Sequence, residues 1–190
     1  MSGMNALAHA VEALYSPERS PLLAELAAEG IRALARALPR VVEAPSDVEA
    51  RADALYGAWL CGTCLATSAM AVHHKICHVL GGLFNLPHAE THALVLPYVV
   101  AFNRPAVAEA MERLAGALGA HDPVAAIIDL AGAVGAPRSL AELGMPEEGV
   151  DAAVDLILAD RYWNPRPLIR PEIERLVRAM YEGSPDGVPG

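Results

Sequence analysis

The sequence predicts an all-α protein, a bundle of roughly eight to ten helices around an apolar core. Three observations predict it. Alanine and leucine dominate while aromatic residues make up 5% of the chain, a balance that favours tightly packed helices over a sheet-rich interior. Apolar residues recur three and four apart through most of the 190 residues. The stretch HALVLPYVV (92–100) alone resembles a strand, and its Pro97 demotes it to a buried helix or an extended connection.

Each element has its own signal. MNALAHAVEALY (4–15) is a short amphipathic helix, and PLLAELAAEGIRALARAL (21–38) is a second that Pro39 should close. Ser46 and Glu49 have capping-box spacing ahead of a long apolar helix running toward His74. The pair Gly81-Gly82 should end the helical run that contains His78. Further helices are expected at 105–118, 122–133, 147–159 and 171–181, each bracketed by Pro, Gly or Asp. RYWNPRPLIRP (161–171) is interrupted by prolines and should be a loop carrying Trp163 and Arg166. Residues 1–183 thus read as one helical domain without repeats or a dividing linker, and SPDGVPG (184–190) as a flexible, frayed tail.

Charge and cysteine usage narrow the function. A formal net charge of −9 argues against nucleic acid and against an anionic membrane surface, while a small acidic substrate needs only a local basic pocket. Cys61, Cys64 and Cys77 lie on apolar segments, which suits free thiols in a reducing cytoplasm better than a disulfide framework. The first residues do not read as a basic region followed by an apolar one, so no secretory leader is expected from them. The window 54–72 has the length of a bilayer span, but its Gly, Ala, Ser and Thr content and its run into two histidines make it a buried core helix. No alternation of strands and helices and no glycine-rich phosphate-binding turn appears, so a dinucleotide-binding domain is expected to be absent from this chain.

The chemistry is concentrated. Five of the seven histidines and the single lysine, Lys75, fall between His73 and His92. His74 and His78 are four apart, which on a helix sets both imidazoles on one face roughly 6 Å apart. His88 follows after a glycine pair and a proline that can turn the chain back toward that face. Asn5 and His9 repeat the four-residue spacing on the first helix. Burying several imidazoles costs a few kcal/mol each unless they are paired, so such a cluster in apolar sequence implies a shared purpose. Cys61 and Cys64 form CxxC, but too few residues separate them from His74 for a zinc finger, and no βαβ context supports a thioredoxin-like role.

The segments MNALAHAVEALY and HHKICHVLGGLFNLPHAETHALVLPYV, with the later NPRP, resemble the C-terminal helical domain of the iron-containing alcohol dehydrogenase superfamily, and within it the maleylacetate reductase subfamily. The resemblance covers essentially the whole chain but about half of the expected enzyme. It implies NADH- or NADPH-dependent reduction of maleylacetate, a small dicarboxylate, to 3-oxoadipate in the degradation of aromatic compounds, by an enzyme that is a homodimer when full length. It places the family's metal ligands on Asn5, His9, His74 and His88 and its active-site histidine on His78. At the first of these positions the family's Asp is replaced by Asn5, which removes the anionic ligand and puts bound Fe²⁺ or Zn²⁺ in question. His78 and His74 are then the expected catalytic residues, with Lys75, His9, His88 and Asn5 against the substrate. The alternatives are a metal-dependent alcohol dehydrogenase domain and a non-catalytic truncated helical module.

Overall fold

The structure is a computed structural model that describes residues 1–160 and 162–189. Nine α-helices run in chain order among them: α1 Ser2–Tyr15, α2 Pro21–Glu43, α3 Val48–Thr67, α4 Val72–Phe84, α5 His88–Asn103, α6 Ala108–Leu118, α7 Pro123–Ala133, α8 Gly149–Ala159 and α9 Arg170–Glu182. Short 3-10 turns occupy Arg104–Ala106 and Pro185–Gly187, and no strand is found among the described residues. The all-α expectation holds. No single helix there is long and apolar enough to cross a membrane.

The bundle has two apolar cores. One gathers Met4, Leu7, Val11, Ile31, Leu34, Leu114 and Ile127 from α1, α2, α6 and α7, with Cys61 and Cys64 of α3. The other gathers Ile76, Leu80, Phe102, Val154, Ile157, Leu176 and Met180 from α4, α5, α8 and α9. Helix α5 belongs to both, since Ala93, Leu96 and Val100 face the first and Leu94, Val95, Val99 and Phe102 the second. Helices α2 and α3 approach closely because a β-carbon at Gly30 would stand 2.9 Å from Cys61 Sγ and one at Gly57 2.8 Å from Leu34. The seam between the cores, where α1, α4 and α5 meet, carries the polar cluster.

Several boundaries differ from the expected ones, for local physical reasons. Helix α2 continues through Pro39 to Glu43, and Ala44 N–H still reaches the Arg40 carbonyl. The N-cap of α3 is Asp47 rather than Ser46, and its carboxylate accepts from Ala50 N–H at 3.0 Å. The carboxylate also pairs with Arg40 at 3.0 Å, a partner that a serine hydroxyl cannot attract as strongly. The helix expected to run on to His74 is broken after Thr67, and α4 leaves at 95° to α3. Helix α4 passes through Gly81-Gly82 and ends at Asn85, whose φ of 52° supplies the left-handed cap. Two glycines cost a buried helix about 1 kcal/mol each, less than its packed face returns. The 92–100 stretch takes the first of its two expected forms, a buried helix rather than an extended connection, and α5 accommodates Pro97 because it is buried along nearly its whole length.

Tyr162–Ile169 form the expected loop, Arg161 lying outside the described residues. In the terminal segment expected to fray, Val188 packs half-buried against the second core, and Pro189 is buried with its carbonyl accepting from Arg166 at 2.9 Å; Gly190 lies outside the described residues.

Candidate active site

Glu12 organises the seam. It sits on α1 three residues after His9 and is 1% exposed in an otherwise apolar stretch. Its carboxylate accepts from Ala71 N–H at 2.8 Å and His73 N–H at 2.9 Å, the first donors of α4, and lies 2.7 Å from His74 Nδ1. An anion at a helix N-terminus is favoured both by these bonds and by the aligned peptide dipoles. Between those two donors, Val72 N–H reaches Asn164 Oδ1 at 3.4 Å. Asn164 is held in turn by Asn103, at 2.9 and 3.2 Å, and by the Arg166 carbonyl at 2.7 Å. The NPRP loop therefore helps to fix the start of the histidine helix, and this explains the break between α3 and α4. The cap comes from residues far away in sequence.

The imidazoles expected to converge do so. His9 and His74 have ring centroids 4.8 Å apart, His74 and His78 6.4 Å, and His78 and His88 6.5 Å with nearly parallel planes. Asn5 lies one turn before His9 on α1. Exposure grades the cluster, from buried His74 through half-buried His9 to exposed His78 and His88. Burial, with the neighbouring His74 and His88, lowers the His9 pKa to about 4. Burial, then the same two histidines and Lys75, lowers that of His78. Because His74 Nδ1 faces a carboxylate, the proton of the neutral ring belongs on Nδ1 and its Nε2 carries a lone pair. That Nε2, Asn5 Oδ1 and His9 Nδ1 are all buried with no hydrogen-bond partner among the described residues.

Two further histidines join the cluster that sequence reasoning left without a role. His73 is fully buried, and its Nε2 lies 3.1 Å from Nδ1 of His92 on α5. His92 has ring centroids 4.3 Å from His88 and 5.1 Å from His74, and its Nε2 has no partner among the described residues. The signals existed: His88 and His92 repeat the four-residue spacing, and Glu12 is a lone acid on an apolar helix. Lys75 points elsewhere, with its ammonium 2.8 Å from Asp160 and 5.8 Å from the Tyr162 ring centroid.

The donor set does not fit a resident divalent cation. The position where a carboxylate would offset the charge holds the neutral Asn5, and Glu12, the nearby acid, is committed to α4 and His74. Among the described residues, the three side chains with ligand atoms all within 4.8 Å of one another are His73, Cys77 and His92, not His9, His74 and His88. Burial above all pushes the Cys77 thiol well up, so it is a neutral thiol rather than a ready thiolate ligand.

Comparison with known proteins agrees with this geometry. Residues 1–181 match the C-terminal part of the Fe-containing alcohol dehydrogenase family. The chain is 52% identical over 184 residues to maleylacetate reductase of Pseudomonas sp. (strain P51), covering 97% of this chain and 52% of that protein. Maleylacetate reductase of Delftia acidovorans matches with the same figures. Among solved structures, maleylacetate reductase from Rhizobium sp. strain MTP-10005 superposes with a TM-score of 0.93 at 48% identity, covering 96% of this chain and 52% of that one. The 1,3-propanediol oxidoreductase structure follows at 0.89 and 31% identity, covering 94% of this chain and 50% of that one. The chain spans about half the length of the curated relatives it matches. It belongs to the Fe-containing alcohol dehydrogenase family, as the C-terminal helical domain of that fold.

Proposed function

We propose that this chain is the substrate-binding and proton-handling domain of an NADH- or NADPH-dependent reductase that converts maleylacetate to 3-oxoadipate. The observation that carries the reading is the replacement of a metal's anionic ligand by Asn5 beside a His74 held by Glu12, in a chain about half identical to maleylacetate reductases. A histidine cluster without its carboxylate suits an anionic substrate better than a cation.

The reaction reduces a C=C bond conjugated to a ketone. A reduced nicotinamide supplies the hydride when bound. No strand followed by a glycine-rich turn occurs among the described residues, so its pyrophosphate is assigned to another domain. As hydride reaches the carbon β to the ketone, the C=C electrons move to the ketone oxygen. That oxygen becomes an enolate that hydrogen bonds donated by imidazole N–H groups around His74 stabilise, while His74, its own N–H held by Glu12, orients the cluster. A proton then goes to the carbon α to the ketone, and His78, at the exposed edge of the cluster, can take its replacement from water. Hydride plus proton completes a two-electron reduction. Lys75 is suited to a substrate carboxylate, because its exposed pair with Asp160 is weak enough to exchange. The same reading assigns a cytoplasmic setting, consistent with three free buried cysteines, and a homodimer.

The test is turnover of maleylacetate by the full-length enzyme with NADH and with NADPH, before and after exhaustive chelation. Activity that survives chelation supports the reading. Stoichiometric iron or zinc required for turnover points instead to a metal-dependent alcohol dehydrogenase.

A further inference from the structure

Away from the histidine seam, α5, α7, the chain that follows α7 and the chain that follows α9 enclose a cavity of about 570 Å³, within the size range of small-molecule sites. Its walls are largely apolar, with Leu94 and Pro97 from α5, Ile128 from α7 and Pro137 beyond it. Tyr98, Asp129 and Arg138 also line it. Tyr98 is 3% exposed, yet its hydroxyl makes no hydrogen bond among the described residues. The tyrosine hydroxyls sealed from solvent without a partner there are those of Tyr15 and Tyr162, so the Tyr98 oxygen opens on the cavity that its ring borders. Burial alone raises the Tyr98 pKa to about 12, with no hydrogen bond or charge contributing. A tyrosine hydroxyl this deep ordinarily has a partner.

The rim supplies charge. Arg138 is exposed, and only its main-chain N–H is engaged, by Glu142 at 2.8 Å; its guanidinium has no acidic partner among the described residues. The backbone beneath it is fixed, because a β-carbon at Gly183, where φ is +73°, would stand 2.9 Å from the Arg138 carbonyl oxygen. Asp129 is likewise exposed and unpaired among the described residues, so one cation and one acid share the rim. A single negative charge can settle on the guanidinium there, whereas a second would meet Asp129.

We propose that this cavity is a second binding site, for a small monocarboxylic acid with an apolar body. The carboxylate accepts from the Arg138 guanidinium and the Tyr98 hydroxyl, and the hydrocarbon lies on Leu94, Pro97 and Ile128. A charge-assisted bond to arginine supplies the polar share of the affinity, and the apolar walls supply the rest. Tyr98 follows His92 by six residues on α5, about 9 Å along the helix axis, so the site is separate from the seam and does not depend on the reductase reading.

Benzoate is the probe, titrated by calorimetry into the full-length enzyme. It should bind with a Kd of about 1 mM or tighter, and benzyl alcohol, a similar ring without the charge, about tenfold more weakly or worse. Arg138→Gln should weaken benzoate about tenfold or more, and Tyr98→Phe about three- to tenfold. Neither change removes a hydrogen bond or ion pair made by that side chain within the described residues, so unfolding midpoints should match wild type. Saturating maleate, a dicarboxylate, should not displace benzoate from the wild-type enzyme, a measurement that needs no variant. Benzoate that fails to bind at about 10 mM, that is displaced by maleate, or that binds either folded variant as tightly as wild type would overturn the proposal.

Discussion

The Glu12 carboxylate, on α1, binds His74 Nδ1 at 2.7 Å while accepting two main-chain N–H groups of α4, so one buried acid both starts the histidine helix and orients its first working ring. Glu12→Ala should unfold or severely destabilise the protein. It strands two buried donors and an imidazole N–H, and a lost charged cap of this kind costs about 2–4 kcal/mol. Glu12→Gln, of equal size, should fold with a smaller loss but lower kcat/KM about 10- to 100-fold, because an amide no longer favours one tautomer of His74. Urea unfolding and steady-state kinetics on the two variants separate the structural from the chemical share. Equal stability of Glu12→Ala and wild type would refute the cap.

His78 is exposed and makes no hydrogen bond that anchors a helix among the described residues, so His78→Ala should fold normally. As the group that exchanges protons with water it should be costly to lose, about 10²-fold or more in kcat for loss of a general acid. A solvent isotope effect that changes in the variant would tie the loss to proton transfer. Unchanged kcat would move the proton donor elsewhere.

Lys75→Met keeps the aliphatic stem that lies near Tyr162 and deletes the ammonium. If Lys75 exchanges Asp160 for a substrate carboxylate, KM for maleylacetate should rise about tenfold or more while kcat changes little. The companion Asp160→Asn frees the lysine and should lower KM. Kinetics in which neither variant shifts KM would leave Lys75 as a surface ion pair.

The sequence made the helical class and the convergence of His9, His74, His78 and His88 legible because both rest on three- and four-residue spacing, which the backbone imposes locally. The break before Val72 was not legible. Nothing in 54–74 forbids a continuous helix, and what divides it is a carboxylate contributed by α1 and an amide from Asn164. Pro97 rightly argued against a strand at 92–100, but it could not decide between a buried helix and an extended connection. A proline in a helix costs about 3 kcal/mol, yet burial of α5 in both cores outweighs it. His73 and His92 went unassigned because their partner is each other, across nineteen residues and two helices.

Stability should depend on pH with a definite sign. Burial, with neighbouring histidines, holds the pKa of His9 at about 4 and of His92 at about 3, and burial holds that of His73 well below its usual 6.5. Above pH 6.5 folded and unfolded chains are alike neutral at these rings. Below it the unfolded chain takes up protons that the folded one refuses, so stability falls as pH drops, by up to about 1.4 kcal/mol per pH unit for each fully engaged histidine. Urea midpoints should therefore be flat from pH 8 to 7 and decline steadily from pH 6 to 4.5. A midpoint that rises on acidification through this range would show that the buried rings are protonated in the folded protein.

Asn5→Asp tests the chemistry of the cluster from the other direction. Asn5 Oδ1 is buried without a partner among the described residues, one turn from His9. Replacing the amide with a carboxylate adds a formal negative charge to a set of neutral nitrogens, and affinity for a divalent cation should rise because its charge is now partly offset. The variant should acquire zinc or iron on purification, measured by elemental analysis, where wild type carries little. Reduction of maleylacetate should fall as metal loads, since a cation occupies the lone pairs that face the substrate and reverses the local field. Chelation of the variant should then recover part of the lost rate. Wild type that already holds one tight metal per chain and loses activity to chelator would reverse the assignment, with His9, His74 and His88 as ligands and Asn5 as a neutral fourth.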